Sequence, residues 1–485
     1  MTYVVRLSGT VSTKSSRTRR RFVHRLEQNI RDALDRSGVD YEFESDWSRL
    51  FVHSSDERVG EILATVAGVQ SVRPSHRSEW TTIDDIVERG AELFAEKVAD
   101  KTFAVRARRV GPRDQFDFDS MAIQRRLGAV LDERAASVDL DDPEVEASLE
   151  IHRDCVYFYD HDIPGPGGLP VGVEGRTLAL VSGGFDSAVA AWSMLKRGVA
   201  LDFLFFNLGG PPHERGVRQV IGDLAERWAH GYEPKLHVVD FRPILADLKV
   251  NVPGKYWQVL LKRLMMRAAD LVVEDLGCPA MITGEAMGQV SSQTLANLAA
   301  IEAPIAAPIL RPLVGYNKEE IIAIARRVGV HDVAEKVPEF CALQGGPPVT
   351  STTEGRLDEQ EANIDFGLLE RMTDERRIED LRELVDSDDE ALDVRIGEVP
   401  ENAAVLDLRS ESKFESWHFP DAMHVPFETA LEQHAMLPQE PTWVLYCEVG
   451  LKSALVAEKM RQAGFDAFSF RGGVPKLRKA CKQPG

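Results

Sequence analysis

The segment Leu178-Ala-Leu-Val-Ser-Gly-Gly-Phe-Asp-Ser187 limits what this chain can fold into more than any other stretch. Apolar residues run into a glycine pair, and a helical pattern follows over Ala188–Arg197 until Gly198. From Thr177 onward the short apolar strands LALV, ALDFLFF, KLHVVD and PAMIT alternate with helical stretches. Such strands, apolar on both faces and separated by helices, form a parallel sheet with crossover helices. The glycine turn after the first strand then reads as a phosphate cradle. Gly183 and Gly184 let the backbone approach an anion, successive N–H groups and the helix N-terminus supply positive potential, and Ser182 and Ser187 add hydroxyl donors. Asp186 would repel phosphate unless a cation bridges the two, which implies Mg²⁺ held between Asp186 and pyrophosphate oxygens. The pattern is not the G-x-x-x-x-G-K-[ST] loop.

Two later loops add to this reading. Thr283–Asn297 (TGEAMGQVSSQTLAN) follows a strand and is polar where a core loop would be apolar, as binding loops are. In RPLVGYNKEE, Asn317 caps a helix and Lys318 falls in its first turn, where the helix dipole disfavours a cation. Unless solvated, Lys318 needs an anion, and a phosphate of a nucleotide or of RNA would serve. Cys447 lies between a strand end and a helix start in YCEVGLKS, where N–H groups and the dipole stabilise a persulfide anion. Cys341 stands in PEFCA, shortly before an acidic stretch that could swing the last domain back. One is a candidate nucleophile and the other a candidate resolving thiol; Cys155, Cys278 and Cys481 read as structural thiols.

With 485 residues, about three domains are expected at ~150 residues each. Five scattered cysteines exclude a disulfide framework. No run of 18 residues lacks a charge, and polar and basic residues follow the first apolar ones, so neither a membrane span nor a signal peptide is expected and the location read is cytoplasmic. Acids outnumber bases, 78 to 58, for a net charge of −20, and the bases are 42 Arg and 16 Lys. That balance suggests a high-salt cytoplasm; at ~1 M salt the Debye length is about 3 Å, so net charge does not exclude RNA.

The first 31 residues run against the acidic trend, with Arg19, Arg20 and Arg21 among eight basic residues and one acid. They suit phosphate contact, the alternative being a solvated helix face behind Phe22, Val23, Leu26, Ile30 and Leu34. Alternation over Thr102–Arg108 predicts a half-buried strand with Arg106 and Arg108 on its polar face, and a helix over Ser120–Leu127 follows. Residues 352–394 hold 16 acids and five arginines with little apolar periodicity, and read as a solvated hinge with a short helix. A second small α/β unit comes after it.

In order, SGGFDS, FFNLGGPPHERGVRQV, TGEAMGQVSSQTLANL, RPLVGYNKEEI and PEFC resemble the ThiI family of tRNA sulfurtransferases in its long form, over essentially the entire chain. The resemblance implies an α/β multidomain fold. Its parts would be an N-terminal ferredoxin-like region (1–59), a THUMP RNA-binding domain (60–165), a PP-loop ATP pyrophosphatase domain (166–351), an acidic linker (352–394) and a rhodanese-like domain (395–485). It implies ATP contacts at Leu180, Val181, Ser182, Gly183, Gly184, Ser187, Phe205, Phe206, Lys262, Gly284 and Gln293, catalytic roles for Asp186 and Lys318, and RNA contacts at the arginines above together with Arg109. Asp407, Arg409 and His418–Pro426 match rhodanese segments and Cys447 its persulfide cysteine, although Asp421 replaces a glycine and Glu448 puts an anion in the active loop.

The implied reaction adenylates the uridine at position 8 of tRNA, with ATP and Mg²⁺, and replaces its oxygen with persulfide sulfur from Cys447 to give 4-thiouridine. Cys341 would resolve the intermediate as a disulfide, which requires Cα atoms within about 4.4–6.8 Å and a reductant. Implied partners are tRNA, a cysteine desulfurase as donor, a sulfur-carrier protein for the thiamine thiazole, and a second copy of the chain. Asp275 stands three residues before Cys278 where an iron–sulfur CxxC would be, so no cluster is expected. Two alternatives are a thiamine sulfur relay without RNA thiolation and a non-catalytic RNA scaffold.

Overall fold

The computed structural model describes residues 1–46, 49–111, 116–337, 347–383, 394–400, 402–448 and 450–480. The chain divides into two compact units, residues 1–174 with 196–198 and 230–232, and the remainder. In the first, strands β1 (Thr2–Leu7), β2 (Glu42–Asp46), β3 (Arg49–His53), β4 (Val69–Glu79), β5 (Thr102–Arg109), β6 (Ser137–Val138), β7 (Val145–Ile151), β8 (Cys155–Tyr159) and β9 (Ile163–Pro164) form one sheet. Its order is β2-β3-β1-β4-β8-β7-β5-β6, with β9 beside β4. The basic N-terminal stretch is a helix, Ser16–Arg36, because Phe22, Leu26, Ile30, Ala33 and Leu34 recur on one face and are buried. With β1 to β4 and the short helix Val59–Leu63 it makes the ferredoxin-like half. That half closes only with β4, which pairs with β1 along its first part and with β8 along its second. A boundary at residue 59 would sever it, so the division falls later than the sequence suggested. The helix Ile83–Val98, started by a Thr82/Asp85 capping box, and the helix Ser120–Asp132 cover the rest of the sheet.

The second unit holds two sheets. Strands β10 (Arg176–Val181), β11 (Ala200–Asn207), β12 (Lys235–Asp240), β13 (Met281–Ile282), β14 (Ile309–Leu310) and β15 (Arg377–Asp380) lie in the order β14-β13-β10-β11-β12-β15. All pairings are parallel except that of β15 with β12. Every residue of β11 is buried, as a central strand requires. The chain builds outward from β10 to β12 and then returns to the other side of β10 with β13. This reversal opens a crevice at the carboxyl ends of β10 and β13, the place where open α/β sheets bind ligands.

Here the structure corrects the reading of residues 352–394. Glu354–Glu361 and Phe366–Asp374 are helices that, with the link between them, bury Leu357, Ile364 and Leu369 in the core of the parallel sheet, and β15 completes the sheet. Four of their acids pair with arginines and a lysine of the sheet domain, while the others are exposed. Arg263, 1% exposed, pairs with Asp358 and Glu361, Arg267 with Glu361, Arg218 with Glu379 and Lys235 with Asp380. Residues 384–393 lie outside the described residues.

The last sheet comprises β16 (Arg395–Ile396), β17 (Ala404–Asp407), β18 (Met423–His424), β19 (Trp443–Tyr446) and β20 (Ala467–Phe470), all parallel, in the order β16-β20-β19-β17-β18. Among the described residues no helix is long and apolar enough to cross a membrane.

Candidate active site

A cavity of about 230 Å³ sits in the crevice between the loops that follow β10 and β13. The helix after β10 begins at Phe185 rather than at Ala188, so Asp186 and Ser187 lie in its first turn. Ser187 Oγ donates to the Gly184 carbonyl at 2.9 Å and accepts from the Ser182 N–H at 3.3 Å, which folds the turn back on itself. Gly183 has φ +81°, and a Cβ there would meet Val337 at 2.7 Å, so conformation and space both require glycine. The β13 loop closes against the same turn: a Cβ on Gly284 would stand 2.7 Å from the Ser187 backbone.

Leu180, Val181, Ser182, Gly184, Asp186, Ser187, Phe206, Lys262, Gly284 and Gln293 line the cavity, while Gly183 and Phe205 do not. Phe205 instead packs edge-on against His213, with ring centres 4.7 Å apart. Lys318 reaches in from its Asn317-capped helix, with Nζ 3.2 Å from Asp186 Oδ2. Gln289 donates to the same oxygen at 3.0 Å. Asp186 is therefore a carboxylate poised between a cation and an amide. Glu285, also in the wall, is bonded by Thr283 at 3.0 Å and by Arg311 at 2.9 Å with its side chain only 6% exposed, against 26% for Asp186, so Asp186 is the more open of the two carboxylates and the one that could hold a Mg²⁺ ion arriving with phosphate oxygens.

The sequence reading missed His213 and Gln289. His213 is 3% exposed, and burial pushes its imidazole down to about 4, against a hydrogen bond with the Ser182 backbone that acts the other way. A neutral ring at the base of the anion loop stabilises the turn without adding charge. His213 is the third residue of the proline-started helix that follows β11, and the segment PPHERG alone gives no sign of its contact with Ser182.

Cys447 directly follows β19, and the helix Leu451–Gln462 starts shortly after it. Its Sγ accepts from the Gly450 N–H at 3.2 Å and lies 3.6 Å from Ser453 Oγ. Ser453 is in turn 2.7 Å from Ser469 Oγ, and both serines are fully buried. Sulfur thus meets a backbone donor in front and a hydroxyl pair behind. The expected penalty from Glu448 is offset: burial opposes its charge, but Lys413 at 2.7 Å and a backbone hydrogen bond outweigh that and hold its carboxyl below the usual range. Asp421 takes φ +60°, the left-handed conformation that glycine would adopt freely. Behind the site, buried Asp407 accepts from Arg409 and from Tyr446 Oη at 2.6 Å.

Of the other predicted residues, Cys341 lies outside the described residues. Arg20 and Arg21 are on the helix Ser16–Arg36, with Arg21 over the Phe22 ring, and Arg19 shares that helix. Arg106, Arg108 and Arg109 are on β5, over the other half of the sheet, where Arg106 bonds the Leu140 carbonyl and Arg109 that of Phe118. The two arginine sets therefore form separate patches. Arg25 is structural, donating to Val171 and Gly231 carbonyls at 2.9 and 2.8 Å.

A parallel sheet with a glycine-rich anion loop at its switch point, preceded by ferredoxin-like and THUMP folds and followed by a rhodanese-like sheet, defines a multidomain PP-loop protein. Comparison with known families agrees module by module. Residues 2–72 match the ThiI ferredoxin-like domain, 81–159 the THUMP domain, 172–366 the family described as Thiamine biosynthesis protein (ThiI), and 379–480 the rhodanese-like domain. A tRNA sulfurtransferase of Desulfurococcus amylolyticus is 36% identical, with 99% of each chain covered, and one of Pyrobaculum aerophilum is 36% identical, with 97% of each covered. Among solved structures, a 4-thiouridine synthetase in complex with RNA and bound ATP matches with TM-score 0.68 and 28% identity, over 78% of this chain and 99% of that one. The chain belongs to the tRNA sulfurtransferase (ThiI) family.

Proposed function

We propose that this protein is an ATP-dependent tRNA sulfurtransferase that converts uridine 8 of tRNA to 4-thiouridine. The observation that carries the reading is the pairing, in one chain, of an anion loop flanked by Asp186 and Lys318 with a thiol cradled by Gly450 N–H and Ser453. The uracil oxygen is a poor leaving group. The cavity holds ATP with its phosphates on the Ser182–Gly184 turn, where Lys318 stabilises charge as O4 attacks the α-phosphorus. The O4–P bond forms, the bond to the bridging oxygen breaks and pyrophosphate leaves. Asp186 would hold Mg²⁺, which screens charge on the phosphates.

The terminal sulfur of a Cys447 persulfide, loaded by a cysteine desulfurase, then attacks C4 and expels AMP. A second thiol, assigned to Cys341, attacks Cys447 Sγ, releases 4-thiouridine and leaves a disulfide that a two-electron reductant reopens. The basic helix face and the THUMP fold hold tRNA by phosphate and shape. Supply of sulfur to a thiamine carrier protein and association as a dimer belong to the same reading.

The test is 4-thiouridine formation from unmodified tRNA, Mg-ATP and a persulfide donor at high salt. Wild type should thiolate, and Cys447→Ala and Asp186→Ala should not. Persulfide on Cys447 without any thiolated nucleoside would instead favour a sulfur relay serving thiamine synthesis alone.

A further inference from the structure

Among its neighbours, the helix Pro211–Trp228 touches both the anion loop and the rhodanese-like domain. Toward its own sheet it sets His213 against the anion loop. It also meets the helix Leu451–Gln462 of the rhodanese-like domain, where Arg215 donates to Glu458 at 2.7 Å. Glu458 is only 13% exposed there, so the ion pair is partly desolvated. Near its start, Leu455 Cδ1 lies 3.6 Å from the point where a Cβ on Gly210 would stand.

These contacts have a direction. From Gly210 to Arg215 on one helix they advance from Leu455 to Glu458 on the other, so the contacts run in the same sense along both. The first helix begins after β11, at the strand-end edge that holds the cavity. The second begins at the Cys447 turn. A shared sense therefore brings the Cys447 turn and the nucleotide cavity to the same end of the helix pair. The opposite sense would have put Cys447 toward Trp228, away from the cavity.

We propose that the face of Pro211–Trp228 around Gly210 and Arg215 is a docking site for the chain's own rhodanese-like domain, and that sulfur is delivered to the activated nucleoside from this pose. The proposal rests on the sulfur-relay reading above and adds the surface from which transfer occurs. The bonds made and broken are those already described. Neither Arg215 nor Glu458 lines the cavity or bonds Cys447 Sγ; they are positioning residues.

The experiment uses the full-length protein as wild type, Arg215→Glu, Glu458→Arg, the double exchange and Cys447→Ala. Persulfide on Cys447, pyrophosphate release with tRNA and 4-thiouridine are measured separately. Each single reversal should leave the first two at wild-type levels and slow thiolation about fivefold or more at low salt, because like charges then face one another. The double exchange should return to within about twofold of wild type, since it restores an opposite-charge pair. Single variants that thiolate at the wild-type rate, or a double variant as slow as the singles, would overturn the docking site. If Cys447→Ala thiolates like wild type, the relay itself fails, an outcome distinct from loss of the docking surface alone.

Discussion

Lys318 Nζ lies 3.2 Å from the Asp186 carboxylate and 4.2 Å from the centre of the Phe185 ring, so one ammonium is shared between the two residues that open the helix after the anion loop. The pair settles a sequence oddity, a cation in the first turn of its own helix. Lys318 is placed for the charge of a different helix, and for any phosphate that comes to it. Replacing it with Met keeps the length but leaves Asp186 facing the phosphates without compensation. Pyrophosphate release should fall by about 100-fold or more, as for loss of a charged transition-state contact. Stopped assays with saturating Mg-ATP would show it, and a loss smaller than about threefold would contradict the role.

Gly284 offers a purely steric test. In Gly284→Ala the new methyl must enter a space 2.7 Å from Ser187 Cα and N, which are backbone atoms and cannot turn aside. Such overpacking costs about 1–3 kcal/mol. Thermal unfolding should report that loss, and equilibrium ATP binding should weaken with it, because the β13 loop and the anion loop can no longer close together. Unchanged ATP affinity would mean the two loops act independently.

At Cys447 the hydroxyl of Ser453 can be removed with little change in volume. Ser453→Ala leaves the Gly450 N–H in place and deletes the contact at 3.6 Å. Hydrogen bonds to charged groups contribute about 1.5–3 kcal/mol, so persulfide formation should slow by roughly tenfold or more. Intact-mass measurement of persulfide against time would read this directly, with Ser453→Thr as the conservative variant expected to keep most of the rate.

His213 makes stability depend on pH in one direction. Its ordinary pKa of 6.5 falls to about 4 on folding, because burial disfavours the charged ring. Between those values the unfolded chain binds the proton and the folded one does not, so stability is complete above 6.5 and declines as the pH drops toward 4. The loss is on the order of 3 kcal/mol, at about 1.4 kcal/mol per pH unit across that window. His213→Asn should show a shallower fall in melting temperature over the same window than wild type does. Parallel melting curves for the two proteins would rule out the assignment.

Much of the candidate site's geometry was legible because it is local. The strand, turn and helix of 178–195 are consecutive, and nine of the eleven residues expected at the nucleotide line the cavity. Gly183 shapes the turn without reaching the wall, and Phe205 is displaced by a single step of strand alternation. Phe206 faces the cavity, and its neighbour must therefore face the other side of the sheet. His213 was missed because its importance lies in a contact with Ser182 that no spacing reveals. The stretch 352–383 was misread for a related reason: its core residues Leu357, Ile364 and Leu369 are sparse, and four of its acids look as solvated as the rest until Arg263, Arg267, Arg218 and Lys235 arrive from distant sequence. Composition reports how many charges a segment holds, and tertiary structure decides which of them face water.

The antiparallel strand β15 has a consequence for how such a chain can be divided. It closes the outer edge of β12 and anchors itself through Lys235 and Asp380. A fragment ending at the apparent start of the acidic stretch would lack two helices and this strand of the nucleotide-binding domain, baring an unpaired edge that invites self-association. A cut after Glu383 keeps the sheet intact. The detachable part of this protein is thus smaller than its acidity suggests: the join between the parallel-sheet domain and the rhodanese-like domain begins only once the last strand of the first has been laid down.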